Sequence, residues 1–145
     1  MKYVLDASVA LKWVLSEIDS DKADALRDAF RKGIHDFLAP DVFPIEIGHA
    51  ITKAERRQLI TASEGPLLLG NILTTLPHLV PSLPLLPEAY ALASAARISL
   101  YDCLYVALAE RERCHLVTAD TRLILLYHLE FRPNPKAYKR LSMLA

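Results

Sequence analysis

KYVLDASVALKWVL, residues 2–15, reads as a β-strand passed directly to a helix. Residues 2–5 form a short apolar, β-prone run that ends on Asp6, which is the pattern of a buried strand. From Ser8 the period changes, and Val9, Leu11, Val14 and Leu15 become available to one helical face. The same grammar returns near the other end of the chain. CHLVTAD, residues 114–120, is a strand that ends on polar residues and is followed by a helical piece expected over residues 121–128. Between these two units the spacing predicts a helix over Ser20–Arg31, stopped by Gly33, then a short strand at FLAP. A helix follows to about Arg57, with Asp41 as its N-cap and Pro44 in its first turn.

Residues 62–76 read as helical, with Leu68, Leu69, Ile72, Leu73 and Leu76 forming a wide apolar stripe. LVPSL is a weak strand that Pro81 assigns to a sheet edge. Helices are expected near Pro87–Arg97 and Leu100–Arg113, a last strand near LEFRP (residues 129–133), and a helical turn at the C-terminus. Strands alternating with helices imply an α/β fold whose parallel sheet is covered on both faces. In such sheets ligands bind at the carboxyl ends of the strands, beside the topological switch point. Residues 1–145 are read as one domain, with no repeat, linker or low-complexity tract.

Composition narrows the class. With 52% hydrophobic and 23% charged residues the chain is a globular protein, and only 8% aromatics means a core of Leu, Ile, Val and Ala. Seventeen basic and seventeen acidic residues give zero net charge, so no whole-molecule field draws in a polyanion. Charge is nevertheless clustered. Glu17, Asp19, Asp21, Asp24 and Asp28 crowd one segment; Lys53, Arg56 and Arg57 form a basic group; and Arg132, Lys136, Lys139 and Arg140 follow the last acid. Each cluster reads either as a solvated face or as a phosphate contact. Cys103 and Cys114 form no CxxC pair and the five histidines have no ligand spacing, so two inert thiols are expected. Asp6 and Lys12 interrupt any signal-peptide core, and prolines at 77, 81, 84 and 87 break the apolar stretch that follows Leu67. The expectation is a cytoplasmic protein that does not cross a membrane.

Four acids carry the chemistry. Asp6 and Asp120 end strands, while Glu46 and Asp102 lie near helix starts that can point at the same sheet edge. Each has a plain structural explanation. Asp6 or Ser8 could cap the first helix, and Glu46 could be an ordinary surface acid. Ser99 and Asp102 fit a capping box, and Asp120 is a natural N-cap. Taken together they suggest more, because apolar neighbours (Ile45, Ile47, Tyr101, Cys103) imply partial burial and no Lys or Arg adjoins them in sequence. A hard divalent cation, Mg²⁺ or Mn²⁺, would supply the missing charge through oxygen ligands and would activate water for phosphoryl displacement without a histidine base.

VLDASVALKWVL, the Glu46 helix, LYDCLYVALAER and HLVTADTRL together resemble, in order and over nearly the whole chain, the motif blocks of PIN domains. The first block and the last two are specific, and the second is weak. The resemblance implies a three-layer α/β/α fold with a mostly parallel five-stranded sheet, and a Mg²⁺- or Mn²⁺-dependent endoribonuclease. It makes Asp6, Glu46, Asp102 and Asp120 the metal-binding acids, with Ser8 and Thr118 as supporting hydroxyls. Small PIN proteins of this length are mostly VapC-type toxins, so an RNA substrate, a cognate antitoxin protein and a homodimer are implied too. Where the family commonly has Asn after the second acid, this chain has His49.

Other classes fit less well. A haloacid-dehalogenase phosphoesterase wants a second Asp two residues after the first, where Ser8 stands. A receiver-like module wants paired acids after its first strand and a late Lys. The remaining alternative is a PIN-like domain serving RNA processing or only binding RNA or protein; the intact quartet of mutually repelling acids speaks against a non-catalytic role.

Overall fold

A computed structural model of the chain describes residues 1–121, Leu123 and the backbone of residues 138–140. Its strands are β1 (Lys2–Leu5), β2 (Asp36–Pro40), β3 (His78–Val80), β4 (His115–Thr118) and β5 (Tyr138–Arg140). All pair in parallel, in the order β3-β2-β1-β4-β5. The helices are α1 (Ala7–Leu11), α2 (Ser20–Arg31), α3 (Phe43–Arg56), α4 (Glu64–Leu73), α5 (Leu86–Ala96) and α6 (Leu100–Glu112), with a 3₁₀ turn at Leu83–Leu85. The expected α/β fold with a parallel sheet is therefore present.

β1 lies in the middle of the sheet, with Tyr3, Val4 and Leu5 all buried, as an unbroken apolar run requires of a strand covered on both faces. From β1 the chain moves outward through β2 to the edge strand β3, then returns across the sheet to β4 on the other side of β1. Right-handed crossovers then place α1 to α4 over one face and α5 and α6 over the other. Contacts agree: α1 meets α3, α3 meets α4, and α6 lies on β1, β2 and β4 with α5 beside it. The reversal makes the β1–β4 boundary the topological switch point.

α6 is buried without interruption from Cys103 to Ala109, so it is the helical centre of the core. α3 buries Phe43, Ile47, Ile51 and Ala54, an i, i+4, i+8, i+11 stripe. Glu46 borders that stripe, which explains its half-buried position.

Several expected boundaries move. The first helix stops at Leu11, where the amides of Lys12, Trp13 and Val14 turn to carbonyls three residues back; beyond it Lys12 Nζ donates to the Ile18 carbonyl (2.7 Å) and the Trp13 indole to Ala23 O (3.0 Å). The N-cap of α3 is Val42, not Asp41, whose carboxylate instead accepts a hydrogen bond from Ser82 Oγ. α2 runs over Ser20–Arg31 and Gly33 adopts φ +72°, the left-handed stop read from the sequence. One buried position of α2 belongs to a charge. Arg27, 8% exposed, stacks 4.7 Å from the Trp13 ring and donates to Thr75 Oγ1 (2.9 Å) and Asn71 O (2.7 Å). It thereby satisfies carbonyl and hydroxyl groups at the C-terminal end of α4, where a cation is favoured. The edge strand is His78–Val80, with Pro81 just beyond it. Most of the helical piece expected over 121–128, the strand expected near 129–133 and the C-terminal turn lie outside the described residues; the strand that pairs with β4 is β5.

Candidate active site at the carboxyl edge of the sheet

The register between β1 and β4 builds the site. Val4 pairs with Leu116 and Leu5 with Val117, and the ladder continues as Asp6 N–H donates to Val117 O (3.0 Å). Asp6 thus emerges beside Thr118. Although Asp6 occupies the N-cap position of α1, its side chain makes no capping bond. Its Oδ2 instead accepts from Ser8 Oγ (2.6 Å) and Thr118 Oγ1 (2.7 Å). Each hydroxyl in turn accepts a backbone N–H from the segment after β4: Ala119 to Ser8 Oγ and Asp120 to Thr118 Oγ1, both at 3.0 Å. Ser8 and Thr118 therefore clamp the loop that carries Asp120 onto the carboxylate of Asp6. Asp120 also accepts from Leu123 N–H through Oδ1 (3.3 Å), so its capping role and its place at the edge coexist.

Glu46 arrives on the first turn of α3 and Asp102 on the first turn of α6. Ser99 Oγ caps α6 by accepting from Tyr101 N–H (3.2 Å), rather than through the N3 amide that the capping-box reading expects. The electrostatics tie the four acids together. Burial pushes the Asp6 carboxyl up; the Ser8 and Thr118 hydrogen bonds oppose this, and the charge of Asp120 adds to it. Burial likewise pushes Glu46 up to about 7, opposed by the Tyr105 hydroxyl and reinforced by the charges of Asp6 and Asp102. Among the described residues no Lys or Arg neutralises Asp6 or Glu46. His49 lies exposed on the outer side of α3 and is not among the groups that shift Glu46.

Among the described residues no three of these acids already converge as a finished metal cage. The donor set nevertheless suits a hard cation: carboxylates that repel one another, with Glu46 Oε1 buried and without a hydrogen-bond partner among the described residues. Tyr105 is the site residue that sequence reading missed. Its hydroxyl is buried beside Glu46, and the charges of Glu46, Asp6 and Asp102 all raise its pKa, after burial. The available signal was its spacing, one turn after Asp102 on the same helix. Cys103 is buried, its thiol pushed up to about 12 by burial and by Asp102, so it is inert as expected. A shallow groove lined by Lys2, Phe30, Asp36, Leu76, His78 and Leu79 lies at the opposite edge of the sheet and contains none of the four acids. Among the described residues no helix is long and apolar enough to cross a membrane.

The chain is similar to known proteins over most of its length. The chain matches the PIN domain family over residues 3–131. It is 36% identical over 120 residues to ribonuclease VapC12 from two strains of Mycobacterium tuberculosis, a match covering 83% of this chain and 88% of each relative. Among solved structures, PAE2754 from Pyrobaculum aerophilum superposes with a TM-score of 0.70 at 21% identity, covering 99% of this chain and 86% of that one. VapBC2 from Rickettsia felis, bound to a DNA fragment from its promoter, gives a TM-score of 0.66 at 13% identity over 97% and 98% of the two chains.

Proposed function

The chain belongs to the PIN domain family, and on that premise we propose that it is a Mg²⁺- or Mn²⁺-dependent endoribonuclease, the toxin of a toxin–antitoxin pair. The observation that carries this reading is the carboxyl edge of β1 and β4. There a buried Asp6 is held by two hydroxyls, faces the charges of Asp120 and Glu46, and has no basic partner among the described residues.

Asp6, Glu46, Asp102 and Asp120 would hold the cation. When bound, the ion supplies the positive charge that lowers the pKa of water and offsets charge on the phosphoryl oxygens. The chain's own residues organise the rest. Ser8 and Thr118 both occupy Oδ2 of Asp6, fixing that carboxylate's rotation and leaving Oδ1 clear of both hydroxyls. Through Ala119 and Asp120 N–H, the same hydroxyls fix the loop that presents Asp120. Glu46, half-buried and beside the charges of Asp6 and Asp102, would add its carboxylate to the ligands of the cation.

Likeness to ribonuclease VapC12 supports RNA as substrate, and likeness to VapBC2 supports an antitoxin protein as partner. Leu73 and Leu76 of the apolar stripe remain 39% and 40% exposed, which leaves surface for a second copy of the chain. A cytoplasmic site of action accords with an RNA target. The test is to incubate purified protein with RNA and Mn²⁺ and map the new 5′ ends by sequencing. Discrete metal-dependent cuts, abolished by chelation and by Asp6→Asn, are expected. A folded Asp6→Asn protein that cuts as well as the wild type would overturn the site assignment.

A further inference from the structure

Two buried polar atoms at the acid site lack a hydrogen-bond partner among the described residues: Glu46 Oε1 and the Tyr105 hydroxyl. The two groups lie close enough for the Tyr105 hydroxyl to bear on the Glu46 carboxyl, yet outside hydrogen-bond geometry. Tyr105 is wholly buried in the central helix α6, so solvent cannot satisfy its hydroxyl. A buried hydroxyl without a partner is unfavourable, and a phenylalanine would fill the same space without that cost. The missing acceptor is already beside it. A tyrosine hydroxyl donates one proton, and a carboxylate has two oxygens, each able to accept more than one bond.

We propose that Tyr105 is the positioning residue for Glu46: its hydroxyl donates to one carboxylate oxygen when Glu46 turns its other oxygen to the cation. This rests on the metal-dependent reading above and goes further, since it assigns a role to a residue outside the acid quartet. Asp6 and Glu46 are thereby held by different means. Asp6 is fixed in advance by Ser8 and Thr118, whereas Glu46 is not locked until its hydrogen bond with Tyr105 closes. Tyr105 is placed for this because it follows Asp102 by one helical turn, so α6 brings one acid and the orienting hydroxyl of another to the same edge.

The test compares wild type, Tyr105→Phe, Glu46→Gln and the double variant by calorimetric titration with Mn²⁺ and by melting of the metal-free proteins. Tyr105→Phe should melt at or above the wild-type temperature when metal-free, because it removes an unsatisfied buried hydroxyl. It should weaken Mn²⁺ binding by about 10- to 100-fold, the usual effect of losing a group that orients a ligand. It should also lower kcat for RNA cleavage with little change in KM. In the Glu46→Gln background the same substitution should have no further effect on Mn²⁺ affinity, because the residue it acts through has lost its charge. Wild-type Mn²⁺ affinity in Tyr105→Phe, or equal losses in both backgrounds, would overturn the role of Tyr105 alone. Absence of Mn²⁺ binding by the wild type would overturn the metal-dependent reading and this proposal with it.

Discussion

At Asp6 and Glu46 the same element of chemistry, a carboxylate taken out of water, is handled in opposite ways. Asp6 is compensated by two hydroxyls on one oxygen, and these are themselves anchored by backbone N–H groups. Ser8→Ala or Thr118→Ala removes one donor to Asp6 and strands the N–H of Ala119 or Asp120. Each should cost about 1–3 kcal/mol in denaturant unfolding and weaken Mn²⁺ binding by roughly 10- to 100-fold. The two losses should not add, since both hydroxyls serve the same oxygen. If either variant binds Mn²⁺ normally, the clamp is structural only. Glu46 gives a pH prediction. Its folded pKa of about 7 lies above the ordinary 4.5, so between these values the folded metal-free protein holds a proton that the unfolded chain releases. The stabilisation from that proton is fully present below the unfolded value and is lost as pH rises through about 7. Metal-free protein should therefore melt at lower temperature as pH rises across this window, and Glu46→Gln should flatten the trend. A wild-type profile that rises with pH there would contradict the burial assigned to Glu46.

α3 and α6 each bring an acid to the site on the first turn, and each also offers an alternative role that experiment can separate. α3 carries Lys53, Arg56 and Arg57 toward its far end, with Glu46 in its first turn. Ten residues of helix put Arg56 about 15 Å from Glu46 along the axis. A strand cut at the acids would reach these cations only with phosphates some distance from the scissile one. Neutralising all three should leave Mn²⁺ affinity unchanged and reduce the dependence of RNA binding on salt, by up to about 0.7 in log–log slope for each phosphate left without its cation. An unchanged slope would make this cluster a solvated face. On α6, Ser99 already caps the helix through Tyr101 N–H. Asp102→Asn should therefore spare the metal-free melting temperature, or raise it by relieving repulsion with Glu46, while reducing the Mn²⁺ response. A fall in melting temperature with an intact Mn²⁺ response would mean that Asp102 serves the helix end and not the cation.

Over the whole molecule, net charge is zero and the acids are drawn to one edge, so metal-free folding works against local repulsion. A cation that binds only the folded state adds about 2.7 kcal/mol at a hundred times its Kd. For a chain of this size that corresponds to a melting-temperature rise of roughly 5–10 °C. The rise should disappear in Asp6→Asn. A rise of equal size in that variant would place the cation somewhere other than the β1–β4 edge.

The amino-acid sequence alone determined the types of most described elements, the parallel class of sheet and which acids are the candidates. Those properties are local: the shift from strand period to helix period after Asp6, the glycine stop at Gly33, and polar residues closing apolar strands at Asp6 and Thr118. Tertiary structure decided which strands became neighbours. Only the return from β3 across the sheet puts β4 beside β1, and only the register Leu5 with Val117 sets Asp6 against Thr118. It also decided that Asp41 binds Ser82 instead of capping α3, that Arg27 is buried against Trp13, and that Tyr105 faces Glu46 from the centre of α6. Period and capping depend on residues a few places apart. Burial of the sheet's two faces depends on the whole chain, and it sets the surroundings of Asp6 and Glu46 through residues more than fifty positions away in sequence.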